Sequence, residues 1–206
     1  MQLVVTDLSM GIGGRVLFEG LDFHAQSGEM VALMGPSGSG KSTLIGGIAG
    51  QIPIRKGLVA MEPSEAAIHW VFQSTPLLGR RSGLDNVALA AELRGVPREA
   101  ALEDSRGLLL NLGLVGRLEV PSYRLSGGEK QRVAVARALM SEADVILADE
   151  PTASLDPDSR AQVLRGMRRA AETGAIVILA THDRWVAEQC DQVIELLAAP
   201  AEGGQD

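Results

Sequence analysis

A glycine-rich segment before residue 45 has the composition of a phosphate-binding loop. It fits the pattern G-x-x-x-x-G-K-[S/T], with the residues Gly35, Pro36, Ser37, Gly38, Ser39, Gly40, Lys41 and Ser42. Glycines let backbone N–H groups converge on an anion at the N-terminus of a helix, where the helix dipole also favours negative charge. Lys41 can then reach the β and γ phosphates, and the Ser42 hydroxyl can ligate Mg²⁺. The apolar strand before the loop and the apolar helix after it are the context that this motif requires.

Two adjacent carboxylates follow the apolar run Val145–Ala148, which has the composition of a buried strand. Neighbouring strand residues point in opposite directions, so Asp149 and Glu150 can serve different purposes. Beside a phosphate loop, Asp149 would hold Mg²⁺, and Glu150 would polarise or deprotonate a water molecule aimed at the γ phosphate. The alternative is that two acidic residues simply end a strand.

A second segment with phosphate-binding features starts at Ser126. Ser126 and Glu129 have the spacing of a capping box at the start of a helix that runs to Met140. The box does not explain Gly127 and Gly128, because each glycine disfavours a helix interior by about 1 kcal/mol. Their missing side chains would leave the helix N-terminus open to an anion. Two anion-binding segments with a single phosphate loop predict a head-to-tail dimer, in which each segment completes the site of the other subunit.

Three apolar runs predict the strands that position these residues. They are Met30–Met34 before the phosphate loop, Val145–Ala148 before the two carboxylates, and Ala175–Ala180 before Thr181 and His182. Helical patterns lie between them, and buried strands alternating with amphipathic helices are typical of an α/β fold with a mostly parallel sheet. In such sheets ligands bind beyond the carboxyl ends of the strands, where all three runs deliver polar residues.

The regions outside these strands predict an antiparallel start and a helical insertion. Short strands separated by a glycine-rich turn at Gly11–Gly14 are expected near the N-terminus. These strands are Leu3–Val5, Arg15–Phe18 and Leu21–Ala25. Residues 76–137 show helix patterns such as Leu84–Leu93 and Arg98–Leu112 and no clear strand, so we interpret them as a helical insertion into the sheet domain.

Composition excludes several classes of protein. The 206 residues are 46% hydrophobic, which is ordinary for a globular chain with a buried core. A single cysteine, Cys190, cannot form a disulfide framework. The longest apolar run, Ala175–Ala180, is far shorter than the ~20 residues that span a bilayer. A net charge of −7 and 3% aromatic residues disfavour nucleic-acid binding, so no nucleic-acid partner is predicted.

The order of the three motifs resembles that of the nucleotide-binding subunit of an ATP-binding cassette (ABC) transporter. The motifs are the phosphate loop, the signature-like segment Leu125–Gly128 and the strand that ends in Asp149 and Glu150, and the similarity covers essentially the whole chain. It implies an α/β P-loop NTPase (RecA-like) fold, with a mostly parallel sheet core, N-terminal antiparallel strands and a helical insertion subdomain. Residues 1–206 would form a single ABC ATPase domain. Residues 1–75 and 138–206 would be its α/β core, and residues 76–137 the helical subdomain that carries the signature motif.

The resemblance also implies roles for individual residues. Glu150 matches the catalytic glutamate, and His182 resembles the switch histidine that contacts the γ phosphate. Gln73 resembles the glutamine that contacts the metal and the attacking water and relays to the membrane subunit. The implied catalytic residues are Glu150, His182, Gln73 and Lys41, and the implied metal ligands are Ser42, Gln73 and Asp149. The implied nucleotide-binding residues are Gly35, Pro36, Ser37, Gly38, Ser39, Gly40, Lys41, Ser42, Thr43, Ile12, Ser126, Gly127, Gly128 and Asp156.

Two of the implied nucleotide contacts need separate comment. Asp156 has a second interpretation, and Ile12 departs from the family pattern. Asp156 resembles part of the segment that crosses the dimer interface, but Asp156 followed by Pro157 is also a good helix start. Counting back from the Ser-Gly-Glu triplet at residues 27–29 puts Ile12 where the family usually stacks an aromatic residue on adenine. Isoleucine can pack on the purine without ring stacking, so weaker adenine affinity or looser base selectivity is expected.

The resemblance implies a Mg²⁺-dependent ATPase that binds ATP and powers a separate integral-membrane permease. The expected partners are this permease and a second ABC subunit, as a homodimer. The expected location is cytoplasmic, on the inner face of the cell membrane through the permease. The residues after Gln73 look broadly like the lipoprotein-release and macrolide-efflux branch, but similar strings occur in import cassettes, so the direction of transport stays open.

Two other classes of protein remain as alternatives. A soluble ABC-type ATPase outside transport, for example in iron–sulfur assembly, would carry the same motifs. DNA-repair types are disfavoured because the stretch between Lys41 and Ser126 is too short for a coiled coil. A small-molecule phosphoryl-transfer kinase would use the phosphate loop, but it has no need of Leu125–Gly128 or of a water-activating Glu150.

Overall fold

Two β-sheets of different type form the framework of the chain, and the computed structural model describes residues 1–73, 76–153 and 155–197. The strands are β1 (Gln2–Ile12), β2 (Arg15–Gln26), β3 (Met30–Met34), β4 (Lys56–Glu62), β5 (Ile68–Val71), β6 (Val145–Asp149), β7 (Ile176–Thr181) and β8 (Gln192–Glu195). One sheet is antiparallel with the order β2–β1–β4, and the other is parallel throughout with the order β5–β6–β7–β3–β8. The predicted mostly parallel core and N-terminal antiparallel strands are therefore confirmed.

Helices fill the connections between these strands. They are α1 (Lys41–Ile48), α2 (Gly83–Leu93), α3 (Arg98–Asn111), α4 (Gly127–Met140), α5 (Pro157–Glu172) and α6 (Arg184–Ala187), with a short 3-10 helix at Ser122–Arg124. The described residues between 76 and 137 contain no strand beyond one isolated bridge, from Ser82 to Pro121. Helix α4 continues past residue 137, so the predicted boundary of the helical subdomain lies inside a helix, and this division stays a prediction. None of the helices in the described ranges has the length and apolarity needed to cross a membrane.

The central strands of the parallel sheet, β3, β6 and β7, are buried on both faces, which is why they are unbroken apolar runs in the sequence. Alternate residues of β3, β6 and β7 pack against α4 and α5 on one face, and against α1 and the antiparallel sheet on the other. The first set includes Ala32, Ile146, Ala148, Val177 and Leu179, and the second includes Val31, Leu33, Leu147, Ile178 and Ala180. Helix α1, which follows the phosphate loop, and helix α4, which follows Ser126, therefore lie on opposite faces of one sheet.

The N-terminal strands are longer than the apolar pattern predicts. Instead of three short strands, residues 2–26 form β1 and β2, which are joined through Gly13 and Gly14 with φ of 58° and 88°. The ladder shifts register on both sides of Leu8, and such bulges break the two-residue alternation on which the prediction rests. Strand β4 escaped prediction because its residues are exposed or half-buried without alternation.

A buried asparagine ties the segment after β5 to the segment before α4. Asn86 is fully buried, and its side-chain oxygen accepts a hydrogen bond from Leu78 N at 2.8 Å. Its side-chain nitrogen donates to Leu78 O at 3.1 Å, Ser82 O at 2.8 Å and Ser122 Oγ at 3.0 Å. Since a buried amide is costly without partners, this network fixes the two segments relative to each other.

Candidate functional site

The phosphate loop leaves β3 and enters α1 through backbone that only glycine adopts easily. Gly38 and Gly40 have φ of 82° and 99°, in the left-handed region. A Cβ on Gly35 would lie 2.6 Å from both Leu196 O and Ser39 Oγ, so there is no room for a side chain. The loop therefore ends at the N-terminus of α1, where the first N–H groups lack partners within the helix and can bind an anion.

The side chains of the loop divide between solvent and interior. Pro36, Ser37 and Ser42 are exposed, whereas Ser39 and Thr43 are buried. The buried Ser39 Oγ has no hydrogen-bond partner in the described part of the chain. The exposed Ser42 hydroxyl, in the first turn of α1, is available to a ligand bound at the loop.

Lys41 folds back over the loop rather than extending into solvent. Its Nζ donates to Gly35 O at 2.7 Å and to Pro36 O at 3.1 Å, and its side chain is only 8% exposed. The same nitrogen lies 3.8 Å from Glu150 Oε1. An entering phosphate would offer this ammonium stronger, charged acceptors than the two carbonyls, so Lys41 is placed to exchange its partners.

Glu150 and His182 meet beyond the carboxyl ends of β6 and β7. These strands are paired up to Asp149 opposite Ala180, and Glu150 N donates to Ala180 O at 3.0 Å. Glu150 Oε1 lies 2.8 Å from His182 Nδ1. Glu150 has φ of 48°, a left-handed conformation that costs a residue with a side chain roughly 1–2 kcal/mol. Such strain persists where the surroundings fix the residue, and it is frequent at active sites.

Asp149 and Ser42 are suited to hold Mg²⁺. Asp149 ends β6 with 9% exposure, and its Oδ1 is buried without a hydrogen-bond partner among the described residues. Mg²⁺ prefers hard oxygen ligands and is usually bound by one or two carboxylates together with substrate phosphates and water. The described residues contain no cluster of three or more His, Cys, Asp or Glu side chains that could hold a metal ion.

Gln73 leaves the sheet at the edge where Asp149 and Glu150 lie. It is exposed and follows β5 by two residues, and β5 runs parallel to β6 with Val71 opposite Ala148. The structure thus puts Gln73 at the carboxyl edge of the sheet, and its contact with metal or water stays a prediction.

The signature segment forms the predicted capping box at the start of α4. Ser126 Oγ accepts from Glu129 N at 3.2 Å, and Glu129 Oε2 accepts from Ser126 N at 2.7 Å. Arg117 was not identified from the sequence, and its Nε donates to Glu129 Oε1 at 2.8 Å. This hydrogen bond holds the pKa of the Glu129 carboxyl below its usual value. Ser126 and Gly127 are exposed, and a Cβ on Gly127 would meet nothing within 4 Å, so this helix end is accessible to a ligand.

Within the described part of one chain, no hydrogen bond joins the signature segment to the phosphate loop. In the described ranges, the hydrogen bonds of Ser126 and Glu129 run to each other, to Lys130 and to Arg117. Helices α1 and α4 also lie on opposite faces of the sheet, which favours contact of Gly127 and Gly128 with a phosphate that another molecule binds.

Ile12 and Asp156 both lie in exposed positions. Ile12 ends β1 with 60% exposure, and the same β1–β2 hairpin approaches the phosphate loop, where a Cβ on Gly40 would lie 3.1 Å from the Phe18 ring. Asp156 caps α5 by accepting from Ser159 N at 3.0 Å, and its hydrogen bonds with Ser159 lower the pKa of its carboxyl. The helix-start interpretation of Asp156 is thus confirmed. Its interface role and the adenine contact of Ile12 stay predictions.

Two residues around His182 were missed by the sequence analysis. Asp183 accepts from Trp185 N at 2.9 Å and so caps α6, and this local spacing was a signal that the sequence contained. Arg160 pairs with Asp183 at 2.5 Å, but these residues are far apart in the chain, and no local pattern joins them.

Comparison with known proteins places this geometry in a large family. The family model described as "ABC transporter" matches residues 18–153. Hemin import ATP-binding proteins HrtA of Staphylococcus aureus, from strains Newman and MW2, are each 37% identical over 214 residues, covering 95% of this chain and 97% of the relative.

Solved structures resemble the chain over nearly its full described length. A dimeric ATP-binding cassette in a post-hydrolysis state, bound to ADP and Pi, has a TM-score of 0.82 and 27% identity, and the match covers 94% of both chains. A metal-chelate type ABC transporter in an inward-facing conformation has a TM-score of 0.78 and 26% identity, covering 94% of this chain and 78% of the other. These neighbours confirm the P-loop NTPase type of fold.

Proposed function

The chain belongs to the ABC transporter family and is an ATP-binding, ATP-hydrolysing subunit of a transport system, and on this premise we propose which of its residues do the work. The observation that carries the proposal is the contact of one Glu150 oxygen with both His182 Nδ1 and Lys41 Nζ, beside the phosphate loop. A carboxylate, a switch histidine and a phosphate-binding lysine thereby converge on the place where a γ phosphate would lie.

ATP is bound by the loop from Gly35 to Thr43. The backbone N–H groups at the N-terminus of α1 surround the β phosphate, and Lys41 leaves the carbonyls of Gly35 and Pro36 to contact the β and γ phosphates. Ile12, at the exposed end of the neighbouring hairpin, packs against the adenine.

Mg²⁺ would be held by Ser42, Asp149 and Gln73. When bound, the ion supplies positive charge that neutralises the phosphate oxygens. The buried, unpartnered Asp149 Oδ1 and the exposed Ser42 hydroxyl support this assignment.

Hydrolysis depends on the partners of the Glu150 carboxylate, which change when ATP binds. Once Lys41 turns to the phosphates, Glu150 is free to accept a proton from the attacking water, or to polarise it, while Gln73 orients the same water. His182 keeps the Glu150 carboxylate in position through its Nδ1 and contacts the γ phosphate from the exposed side of the site.

A second copy of the chain completes each site with Ser126, Gly127, Gly128 and the Asp156 segment, which comprises Leu155 and Asp156. The N-terminus of α4 is exposed, and α4 lies on the face of the sheet opposite α1. Both features support this arrangement. The dimeric ATP-binding cassette among the structural neighbours supports it as well. The dimer engages an integral-membrane permease, so the subunit works in the cytoplasm at the inner face of the membrane.

The experiment has two steps. The purified chain is mixed with ATP and Mg²⁺ and no acceptor molecule, and release of inorganic phosphate is measured for the wild type and for Lys41→Ala, with the exposed Lys56→Ala as control. We expect phosphate release that Lys41→Ala abolishes and Lys56→Ala preserves. Absence of phosphate release without an acceptor would favour the kinase alternative and contradict the proposal.

The second step identifies the partner. Glu150→Gln protein is expressed in its native cell, captured from solubilised membranes with ATP, and the co-purifying proteins are identified. Recovery of a polytopic permease is the expected result, and recovery of soluble proteins alone would contradict the permease assignment.

A further inference from the structure

Arg160 joins the first turn of α5 to the segment that follows His182. Its Nη1 lies 2.5 Å from Asp183 Oδ2, and its guanidinium carbon lies 5.7 Å from the centre of the Trp185 ring. The paired side chains are 28% and 31% exposed, so solvent screens this ion pair less than it screens a fully exposed one. Asp183 comes directly after the switch histidine in the chain, and Trp185 follows within the first turn of α6.

Asp183 follows His182 in the chain, so the ion pair that holds Asp183 also restrains the backbone of His182. Its N donates to Thr181 Oγ1 at 3.0 Å, and its Oδ1 accepts from Trp185 N at 2.9 Å, while its Oδ2 holds Arg160. Thr181 is fully buried at the end of β7. The backbone of His182 is therefore fixed by the sheet on one side and by Asp183 on the other.

The opposite end of the link lies next to Asp156. Arg160 N donates to Asp156 O at 2.9 Å within the turn that Asp156 caps. Because α5 is a continuous helix of 16 residues, a displacement of Asp156 carries Arg160 with it. The chain thus contains a direct mechanical path from the Asp156 segment to the loop of His182.

We propose that Arg160 is a positioning residue that holds His182 against Glu150 and couples this contact to the Asp156 segment. The inference rests on the proposed function, because it assigns Arg160 a role in the same ATPase site. Arg160 acts through Asp183 and touches neither nucleotide nor water. When a second subunit contacts the Asp156 segment, α5 transmits the contact to His182 through this pair.

The test compares Arg160 with a matched arginine on the same helix. Arg168 forms an ion pair of similar exposure with Asp191 at 2.6 Å, but Asp191 lies beyond α6, and its carboxylate also accepts from Met30 N at the start of β3. For wild type, Arg160→Ala, Arg160→Lys and Arg168→Ala, we would measure kcat, the ATP dissociation constant without Mg²⁺, and the melting temperature. We expect Arg160→Ala to lower kcat about tenfold with little change in ATP affinity, and Arg160→Lys to recover part of the loss. Arg168→Ala should leave kcat within about twofold.

A double-mutant cycle with His182 separates positioning from general destabilisation. If Arg160 acts through His182, then Arg160→Ala lowers the residual rate of His182→Ala no further. Equal losses in kcat for Arg160→Ala and Arg168→Ala, or a full additional loss in the His182→Ala background, would overturn the inference. A wild type that does not hydrolyse ATP would instead refute the proposed function itself.

Discussion

Glu150 has a single carboxylate oxygen facing both the histidine and the lysine of the site, at 2.8 Å and 3.8 Å. The lysine is also held by two loop carbonyls, so an entering phosphate must draw it away from all of these partners. We therefore expect nucleotide binding to release Glu150 from Lys41 and to leave His182 as its partner.

Replacing Glu150 by Gln tests its role as the base. We expect hydrolysis to fall at least about 100-fold, because an amide cannot accept the proton of water, while ATP affinity changes little. Steady-state phosphate release and fluorescent-nucleotide titration measure the two effects. Glu142→Gln is the control, since Glu142 also has a positive φ, of 49°, and pairs with Arg94 instead. A Glu150→Gln variant that keeps a tenth of the wild-type rate would remove the residue from this role.

Ile12→Tyr tests the adenine contact. A ring at this exposed position would stack on the purine, and base–aromatic stacking contributes about 1–3 kcal/mol, so ATP should bind about fivefold more tightly or better. Titration with ATP gives the affinity, and Leu58→Tyr, at a similarly exposed site on β4, should not change it. Unchanged affinity in Ile12→Tyr would show that residue 12 does not face the adenine.

The sequence revealed interactions between residues close in the chain and missed those between distant ones. The capping box of Ser126 and Glu129 and the helix start at Asp156 span only a few residues, so spacing alone predicts them. The partners Arg117 of Glu129 and Arg160 of Asp183 depend on how helices pack, and a charged residue in the sequence does not say which opposite charge it meets.

Arg117 strengthens the capping box at the N-terminus of α4, because its Nε donates to Glu129 Oε1. This hydrogen bond from Arg117 lowers the pKa of the Glu129 carboxyl, so the folded state favours the ionised carboxylate. This contribution to stability is present above the unfolded pKa of about 4.3 and is lost as the pH falls through the lower folded pKa.

Glu129→Gln should therefore remove a pH-dependent part of the stability. We expect the gap in unfolding free energy between wild type and variant to shrink as the pH is lowered from about 6 to 3. Urea denaturation at several pH values gives this gap. The variant Glu119→Gln, in an exposed pair with Arg106, serves as control and should show no such trend. A gap for Glu129→Gln that stays constant with pH would contradict the assigned ion pair.

Asn86→Ala tests the link between the two segments that precede α2 and α4. Loss of the buried amide strips hydrogen-bond partners from Leu78, Ser82 and Ser122, and we expect a loss of about 2–4 kcal/mol in unfolding free energy. Urea denaturation measures it, with the exposed Asn111→Ala as control. A change below about 0.5 kcal/mol in Asn86→Ala would contradict the role of the network.

Strands were predictable where burial on both faces makes them apolar throughout, as in β3, β6 and β7. They were not predictable where bulges and polar residues interrupt the pattern, as around Asp7 and Leu8 in β1, or where a strand is half-exposed, as in β4. The antiparallel sheet was therefore expected as a class of structure, but its strand lengths and its third member follow from tertiary pairing.

For the whole molecule, the sheet separates the two anion-binding segments that the sequence predicts. The phosphate loop starts α1 on one face, and the segment from Ser126 starts α4 on the other. This separation favours a dimer in which two molecules face each other head to tail. The resemblance to ABC cassettes favours the same arrangement.

The head-to-tail dimer is tested most directly by the molar mass of Glu150→Gln in the presence of ATP, measured by light scattering after gel filtration. We expect a dimer with ATP and a monomer with ADP. Adding Ser126→Arg, which blocks the N-terminus of α4 but not the phosphate loop, should abolish the dimer while ATP binding persists. A Glu150→Gln protein that stays monomeric with bound ATP, or a dimer that survives Ser126→Arg, would contradict an ATP site formed by two subunits.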